Sequence, residues 1–234
     1  MFVAICAIAA SASTTTVTVQ GYMNPWLAGM PNGSTAKGDS APGQSPILAL
    51  TGFNTGSAIQ FSTSSTCGFA YGGGCGPYSG PANSADGDLN GGYTGVANGM
   101  SGITTPWNAL IGVFLDNTQP DLNTPPADLV FLDINGNPAI SFTSLSPALQ
   151  QVFFIGDGLT GTGSGSIQDF YAPTGATRLF LGSADGFGWS NNGGYQDVTI
   201  NYSGNSATPE PGTMIMFGSG ILGLAGILRR RINL

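Results

Sequence analysis

Apolar residues occur along this chain in two patterns, and each pattern predicts β-strands. Residues 14–22 (TTTVTVQGY), 176–183 (ATRLFLGS) and 195–202 (YQDVTINY) alternate between polar and apolar side chains, which is typical of strands with one buried face. Residues 109–115 (ALIGVFL) and 151–156 (QVFFIG) are almost continuously apolar, which predicts buried strands. Gly, Asn, Asp and Pro stand at the breaks between these runs.

These runs predict an all-β fold of about eight short strands. The expected architecture is an antiparallel β-sandwich of jelly-roll or galactose-binding-like type. Helical periodicity is nearly absent, and residues 146–151 (SPALQQ) are the one candidate for a short helix. We place this domain at residues 13–202 and interpret the polar residues 203–208 (SGNSAT) as a short linker.

Composition adds charge to this picture. The chain has 234 residues and a formal net charge of −7, and three of its five Lys and Arg residues are adjacent at the C-terminus. Lys37 and Arg178 are the remaining bases, and they face many Asp residues in the domain. A surface of this kind repels phosphate backbones, so we expect no nucleic-acid partner and consider metal cations and neutral ligands instead.

Histidine is absent from the sequence, which removes the general base of most hydrolases and a common zinc ligand. Glu210 is the single Glu, so a glycosidase with two carboxylates would have to use two Asp residues. We therefore expect that the protein is not an enzyme.

The N-terminal segment is typical of an exported protein. Residues 1–12 (MFVAICAIAASA) form an uncharged apolar run that ends in the small-x-small pattern accepted by signal peptidase. We expect cleavage after Ala12, which would remove Cys6 with the signal peptide. A buried first strand is the alternative.

The C-terminal segment predicts one transmembrane helix. Residues 212–228 contain no charge and as a helix would span about 26 Å, enough for the core of a bilayer. Arg229, Arg230 and Arg231 follow at once and would remain on the cytoplasmic side, with everything before Gly212 outside the membrane. The alternative is a buried helix of a soluble domain.

Pro209, Glu210 and Pro211 precede the apolar span. The tripeptide, the span and the arginine cluster together resemble the PEP-CTERM sorting signal of Gram-negative bacteria, over residues 209–234. The resemblance implies recognition by exosortase, a membrane cysteine protease-transpeptidase, and retention by the span and the arginines. It also implies an inner-membrane precursor that reaches the cell surface or the extracellular matrix, in a species that makes exopolysaccharide and biofilm.

Cys67 and Cys75 bracket a Gly-rich loop, GFAYGGG. In an exported domain, two cysteines this close most economically form a disulfide, and two free thiols are the alternative. A zinc site is disfavoured because the domain has no His or further Cys to complete a tetrahedral ligand set.

A second acidic loop, DGDLNG at residues 86–91, fits the first half of an EF-hand calcium loop. Asp86, Asp88 and Asn90 stand at positions one, three and five. Position twelve is Ala97 rather than Glu, so a true EF-hand is excluded and a looser calcium loop remains a prediction.

Two further segments, residues 107–114 (WNALIGVF) and 178–200 (RLFLGSADGFGWSNNGGYQDVTI), resemble the calcium-dependent galactophilic bacterial lectin and PEP-CTERM proteins with a related sandwich. In those lectins, the loop between the last two strands holds an Asp, a backbone carbonyl and an Asn-Asn pair that bind calcium. The calcium then binds two sugar hydroxyls. The resemblance assigns these roles to Asp185, the carbonyl of Trp189, Asn191 and Asn192.

Calcium prefers carboxylate, amide and carbonyl oxygens, and a Gly-rich loop lets several of them converge. The loop is one residue shorter than in the lectin, and the sugar-contacting His of the lectin has no counterpart. A plain hairpin loop, in which Asp185 and the two Asn residues hydrogen-bond their own backbone, is the alternative. If sugar binds, Trp189 or Phe187 would offer it a flat apolar face, and the alternative for either ring is a place in the core.

The sequence supports two functions. One is a carbohydrate-binding module of the envelope or matrix that uses calcium, with exopolysaccharide as a possible partner. The other is a structural or adhesive biofilm-matrix protein without a small ligand. They differ in whether the oxygens of Asp185, Asn191 and Asn192 converge on one point.

Overall fold

The computed structural model describes residues 12–64, 68–72 and 85–204 of the chain. Strands dominate these residues, so the prediction of an all-β fold is confirmed. The helical structure among them consists of three short 3₁₀ turns, at Pro25–Leu27, Pro120–Leu122 and Trp189–Asn191.

No helix in this described part of the chain is long and apolar enough to cross a membrane. The predicted transmembrane helix at residues 212–228 lies outside it, as do residues 1–11 of the predicted signal peptide. Residues 146–151, the one candidate helix of the sequence, form a turn instead. The prediction fails because Gln150 has a φ of +62°, which a right-handed helix does not allow.

The strands, in chain order, are β1 (Ala12–Gln20), β2 (Thr35–Ala36), β3 (Asp39–Ser40), β4 (Ile47–Thr51), β5 (Ala58–Ser64), β6 (Ala70–Tyr71), β7 (Gly91–Thr94), β8 (Ile103–Pro106), β9 (Leu110–Leu115), β10 (Leu129–Val130), β11 (Ser144–Leu145), β12 (Val152–Phe154), β13 (Leu159–Gly161), β14 (Ser164–Ile167), β15 (Asp169–Tyr171), β16 (Arg178–Ser183), β17 (Asn192–Gly193) and β18 (Tyr195–Ser203). The five strand-forming runs of the sequence overlap β1, β9, β12, β16 and β18. Most of the other strands are too short for a periodic pattern to reveal them.

The two largest sheets are five-stranded, in the order β1-β18-β5-β15-β11, and four-stranded, in the order β12-β9-β16-β4. The prediction of antiparallel pairing is right for the long strands and wrong for two short ones, because β10 runs parallel to β8 and β11 runs parallel to β15. Both exceptions are two-residue edge strands. Each is separated in sequence from its partner by other strands, which permits parallel pairing, whereas a tight hairpin enforces antiparallel pairing.

A first buried cluster fills the space between the five-stranded and four-stranded sheets. Val198 and Ile200 of β18 and Phe61 of β5 belong to it, together with Phe114 of β9 and Phe153 of β12. The rings of Phe114 and Phe153 stack, with centroids 5.2 Å apart and an angle of 16° between their planes. Because residues of both sheets share this cluster, the two sheets pack face to face.

A second buried cluster covers the opposite face of the four-stranded sheet. Along β9, Leu110 and Phe114 belong to the first cluster, whereas Ile111 and Val113 belong to the second. The four-stranded sheet is therefore buried on both faces. This double burial explains why the runs that form β9 and β12 are continuously apolar. The run that forms β16, which the sequence predicts to alternate with one buried face, is instead buried at every position after Arg178.

Loops and 3₁₀ turns supply much of the cover on this second face. Trp26 and Trp189, each from a different 3₁₀ turn, are fully buried with ring centroids 5.6 Å apart. Their indole nitrogens donate to the backbone carbonyls of Ser101 (2.9 Å) and Ser183 (2.8 Å). The two rings are therefore buried without leaving an indole N–H group that lacks a hydrogen-bond acceptor.

The outer face of the five-stranded sheet is polar at the β1 edge, as the alternation in the sequence predicts. Thr14, Thr16 and Thr18 are exposed there. Their hydroxyl groups hydrogen-bond across to β18, at Asn201 (2.7 Å), Thr199 (3.1 Å) and Asp197 (2.6 Å).

Arg178, at the start of β16, stabilises the loop that follows β9 through hydrogen bonds. Its Nε donates to the carbonyl of Asp116 (2.7 Å), and its guanidinium also donates to the carbonyl of Thr118 (2.8 Å). Within that loop, Oδ1 of Asp116 accepts the hydroxyl (2.6 Å) and the backbone N–H (2.8 Å) of Thr118. The pKa of Asp116 is lowered from its ordinary value of 3.8. The hydrogen bond from the Thr118 hydroxyl is the largest cause, and the Thr118 backbone N–H and the charge of Arg178 also contribute.

Replacement of Phe114 with Ala should lower the free energy of unfolding by about 3–5 kcal/mol, because it leaves a cavity between the two large sheets. Urea unfolding followed by tryptophan fluorescence would measure the change. Leu122→Ala is the control, since Leu122 is 77% exposed and its truncation should cost less than about 0.5 kcal/mol. Similar losses in the two variants would contradict the proposed core.

Asp116→Asn should lower the melting temperature at neutral pH and have little effect in strong acid. The folded pKa lies below the unfolded value, so the carboxylate stabilises the fold above the unfolded pKa, and that stability is lost as the pH falls through the folded pKa. Thermal melts of the two proteins over the acid range would test this. A difference between the proteins that does not change with pH would contradict it.

Candidate functional site

Two loops that are separate candidates in the sequence lie side by side in the structure. The backbone N–H of Asn108 donates to the carbonyl of Ala184 (2.8 Å), and its side-chain Nδ2 donates to Oδ2 of Asp88 (3.1 Å). Beside it, the carbonyl of Trp107 accepts the N–H of Asp88 (2.8 Å), and the N–H of Trp107 donates to the carbonyl of Asn90 (3.1 Å). The turn before β9 therefore holds the DGDLNG loop against the loop that follows β16. Asn108 adopts a φ of +60° in this turn, a conformation that Asn tolerates better than most residues.

A cavity of about 250 Å³ opens where the two loops meet. It has two carboxylates, Asp88 from the first loop and Asp185 from the second. Neither Lys37 nor Arg178 lines it, so the cavity wall is negatively charged. The lining residues are Tyr71, Asp88, Trp107, Asn108, Asp185, Gly186 and Asn192.

Asp185 holds the second loop together through its carboxylate. Oδ1 accepts the backbone N–H of Gly186 (2.5 Å) and, at longer range, of Phe187 (3.4 Å). Oδ2 accepts Nδ2 of Asn192 (2.7 Å), and the backbone carbonyl of Asp185 accepts the hydroxyl of Thr94 (2.6 Å). These bonds fix Asp185 and Asn192 at the cavity wall, and they are also the bonds expected of a plain hairpin loop.

Asn192 carries an unsatisfied polar atom. The residue is 7% exposed, and its Oδ1 is buried without a hydrogen-bond partner. A buried amide oxygen without a donor costs on the order of 1–3 kcal/mol of folding free energy. A cation or a hydroxyl donor is the kind of group that such an oxygen binds.

Two of the four ligands that the lectin resemblance assigns do not line the cavity. Trp189 is fully buried, and its carbonyl accepts the backbone N–H of Asn192. Asn191 is exposed, and its carbonyl accepts the N–H of Gly72 (3.0 Å). The structure thus brings Asp185 and Asn192 together at the cavity wall, whereas Trp189 and Asn191 do not line the cavity.

The aromatic surface of the site differs from the expectation. Trp189 is in the core, which is the second of its two interpretations, and Phe187, which is 70% exposed, does not line the cavity. Trp107 and Tyr71 line it instead. Trp107 is half-buried, and Gly92 lies so close to its ring that a side chain at residue 92 would collide with it. Tyr71 is 73% exposed. An aromatic residue directly before the buried run of β9 is the sequence signal that could have identified Trp107.

The DGDLNG loop does not gather its three predicted ligands at the cavity. Asp88 lines it, whereas Asp86 is buried outside the lining and its Oδ1 accepts the N–H of Asp157 (3.0 Å). Burial raises the pKa of Asp86; the Asp157 N–H partly offsets this rise, and the Asp157 charge adds to it. Asn90 is exposed. Among the residues that the structure describes, no group of three or more His, Cys, Asp or Glu side chains forms a metal cluster.

Asp39, which the sequence does not single out, anchors the second loop. Its Oδ2 accepts the N–H of Trp189 (2.8 Å) and Nδ2 of Asn24 (3.1 Å), and its Oδ1 accepts the N–H of Ser190 (3.2 Å). Asp39 therefore caps the 3₁₀ turn, whose first N–H groups have no partner inside the turn. Asp39 and Trp189 are 150 positions apart in sequence, a separation that no local pattern can bridge.

The other predicted site residues lie outside the described residues. These are the cysteines of the predicted disulfide and the residues of the sorting signal: Cys67, Cys75, Pro209, Glu210, Pro211, Arg229, Arg230 and Arg231.

Comparison with protein families matches residues 207–231 to the PEP-CTERM protein-sorting motif. The match includes the Pro-Glu-Pro tripeptide and the arginine cluster, so the predicted sorting signal is confirmed. The motif indicates an exported protein that exosortase processes. The chain has no match among curated proteins or solved structures.

Asp39→Ala should lower the free energy of unfolding by at least about 2 kcal/mol, because it leaves the N–H groups of Trp189 and Ser190 without their acceptor. Asp121→Ala is the matched control, since Asp121 is exposed and accepts a hydrogen bond from its neighbour Gln119. Urea unfolding would measure both changes. An equal effect of the two substitutions would show that Asp39 does not anchor the loop.

Proposed function

We propose that this exported protein binds carbohydrate through a calcium ion held in the cavity between the DGDLNG loop and the loop after β16. The fold that carries the site is then a β-sandwich of galactose-binding or jelly-roll type. One observation carries the proposal: Asp88, Asp185 and Asn192, from two separate loops, line one cavity. Oδ1 of Asn192, moreover, is buried without a hydrogen-bond partner.

The donor set suits calcium. Calcium takes about six to eight oxygen ligands from carboxylates, amides, carbonyls and water. Two carboxylate residues and one amide residue line the cavity, and the hydroxyl groups of a sugar and water would complete the shell. Zinc is disfavoured, because no His or Cys among the described residues lines the cavity.

The walls of the cavity favour a neutral sugar. Trp107 and Tyr71 place aromatic surface beside the polar oxygens, and such rings offer a flat apolar face to a pyranose. The two carboxylates repel anionic ligands, and neither Lys37 nor Arg178 is present to attract them. A neutral polysaccharide of the extracellular matrix is therefore the partner class that we propose.

A structural or adhesive matrix protein without a small ligand is the second candidate. It is favoured by the hydrogen bonds of Asp185, both of whose carboxylate oxygens are already used inside the loop. Calcium would have to replace the bond from Nδ2 of Asn192, whereas a structural loop would keep it. The two candidates therefore differ in whether calcium changes the stability of the protein.

Calcium should raise the melting temperature of the full-length protein, purified in a mild detergent. An ion at about 100 times its Kd stabilises the folded state by about 2.7 kcal/mol, which corresponds to about 5–10 °C for a domain of this size. A chelator should reverse the rise, and a glycan array probed with and without chelator should show calcium-dependent binding. An unchanged melting temperature with a blank array would favour the structural candidate.

Substitutions locate the ion. Asp185→Ala should abolish both the thermal shift and the glycan signal, and Asp88→Asn should weaken both, because each removes a carboxylate from the cavity. Asp197→Asn is the matched control, since it removes the same charge from β18, outside the cavity. A calcium response that survives in Asp185→Ala would place the metal elsewhere.

A further inference from the structure

β1 forms one edge of the five-stranded sheet and is unusually long and regular for an edge strand. It pairs with β18 residue for residue over nine positions, from Ala12 opposite Ser203 to Gln20 opposite Tyr195, without a register shift. Within the described part of the chain, no strand pairs with its other side. An antiparallel ladder leaves alternate N–H and C=O groups of such a strand directed outward, where a further strand can bind them.

β1 also lacks the features that usually protect a sheet edge. Native edges are typically short, bulged, or interrupted by Lys or Pro. The sequence of β1, ASTTTVTVQ, has no Pro, no Gly and no charge, and its pairing with β18 has no bulge. The opposite edge of the same sheet, β11, has two residues and is therefore protected by its shortness.

Charge distribution restricts contact between two copies of this chain to uncharged surfaces, and β1 is one of them. The residues that the structure describes contain many Asp residues and two basic residues, so most surfaces of two copies repel each other. The side chains of β1 are uncharged, and Oδ1 of Asp197, on the adjacent strand, accepts the hydroxyl of Thr18 (2.6 Å). Two β1 strands can therefore approach without facing carboxylates on the strands themselves.

The side chains of β1 are also suited to pairing with themselves. In an antiparallel pair centred on Thr16, the exposed Thr14 of each copy lies opposite Thr18 of the other, and Thr16 lies opposite its own counterpart. β-branched residues in directly opposed positions are favourable cross-strand pairs. On the inner side, the half-buried Val17 lies opposite Thr15, which extends the covered apolar surface across the junction.

We infer that two copies of this chain associate through antiparallel β1–β1 pairing, which joins two five-stranded sheets into one continuous sheet. The inference does not depend on the proposed calcium site. A single strand pair buries little area compared with the roughly 1,600 Å² of a standard stable interface. We therefore expect a weak dimer, whose fraction rises with protein concentration. A high local concentration at a surface or in a matrix would favour it.

The test uses the full-length protein in a mild detergent, with its mass measured by light scattering over a range of concentrations. The unsubstituted protein should change from monomer to dimer as its concentration rises. Thr16→Lys and Thr16→Asp should each weaken the dimer at least about tenfold, because like charges would stand opposite each other at the centre of the pair. An equal mixture of the two variants should dimerise again, since Lys then faces Asp.

Ser62→Lys is the matched control. Ser62 is exposed and lies opposite Thr199, the residue that also pairs with Thr16, but it is on the interior strand β5. Ser62→Lys introduces the same charge on the same face of the sheet as Thr16→Lys, and it should leave the dimer unchanged. Thermal melts would show that each variant is folded, and Thr14→Lys would replace Thr16→Lys if the latter is not. A monomer at all concentrations, or a dimer that persists equally in both Thr16 variants, would overturn the inference.

Discussion

The burial of the four-stranded sheet on both faces is the constraint on which the rest of the structure depends. β9 and β16 form its centre, and their antiparallel register places Leu110 opposite Ser183. The start of β9 and the end of β16 therefore meet at one end of the sheet. The turn before β9 and the loop after β16 are held together there because two packed apolar layers fix the strands from which they extend.

The candidate cavity is a consequence of that register. Its polar residues belong to segments that are distant in sequence, and long-range bonds hold them in place: Asn108 joins the two loops, and Asp39 caps the turn within the second loop. These contacts are what a preorganised binding site requires, because they fix the donors before a ligand arrives. The same contacts also stabilise the two loops.

The two faces of the five-stranded sheet have different roles. Its inner face contributes Phe61 and Ile200 to the first core, whereas its outer face carries hydrogen-bonded Thr, Asn and Asp side chains on β1 and β18. Ladders of mostly uncharged polar side chains, with Asp197 among them, keep this face in water. An exported protein with few charges thereby remains solvated while its edge strand stays neutral.

The local pattern of the sequence was enough to predict the sorting motif, the all-β class and the strands β1, β9, β12, β16 and β18. It did not reveal β5, although that strand has seven residues. It also identified Asp185, Asn192 and Asp88 as oxygen donors in Gly-rich loops. Tertiary contacts place Asp88 beside Asp185 at the cavity, whereas Asp86 accepts a hydrogen bond from Asp157. They also bury Trp189 in the core and leave Trp107 at the cavity wall. Those outcomes depend on strand register and on contacts between residues that are distant in sequence. Neither produces a periodic pattern in the sequence from which it could be predicted.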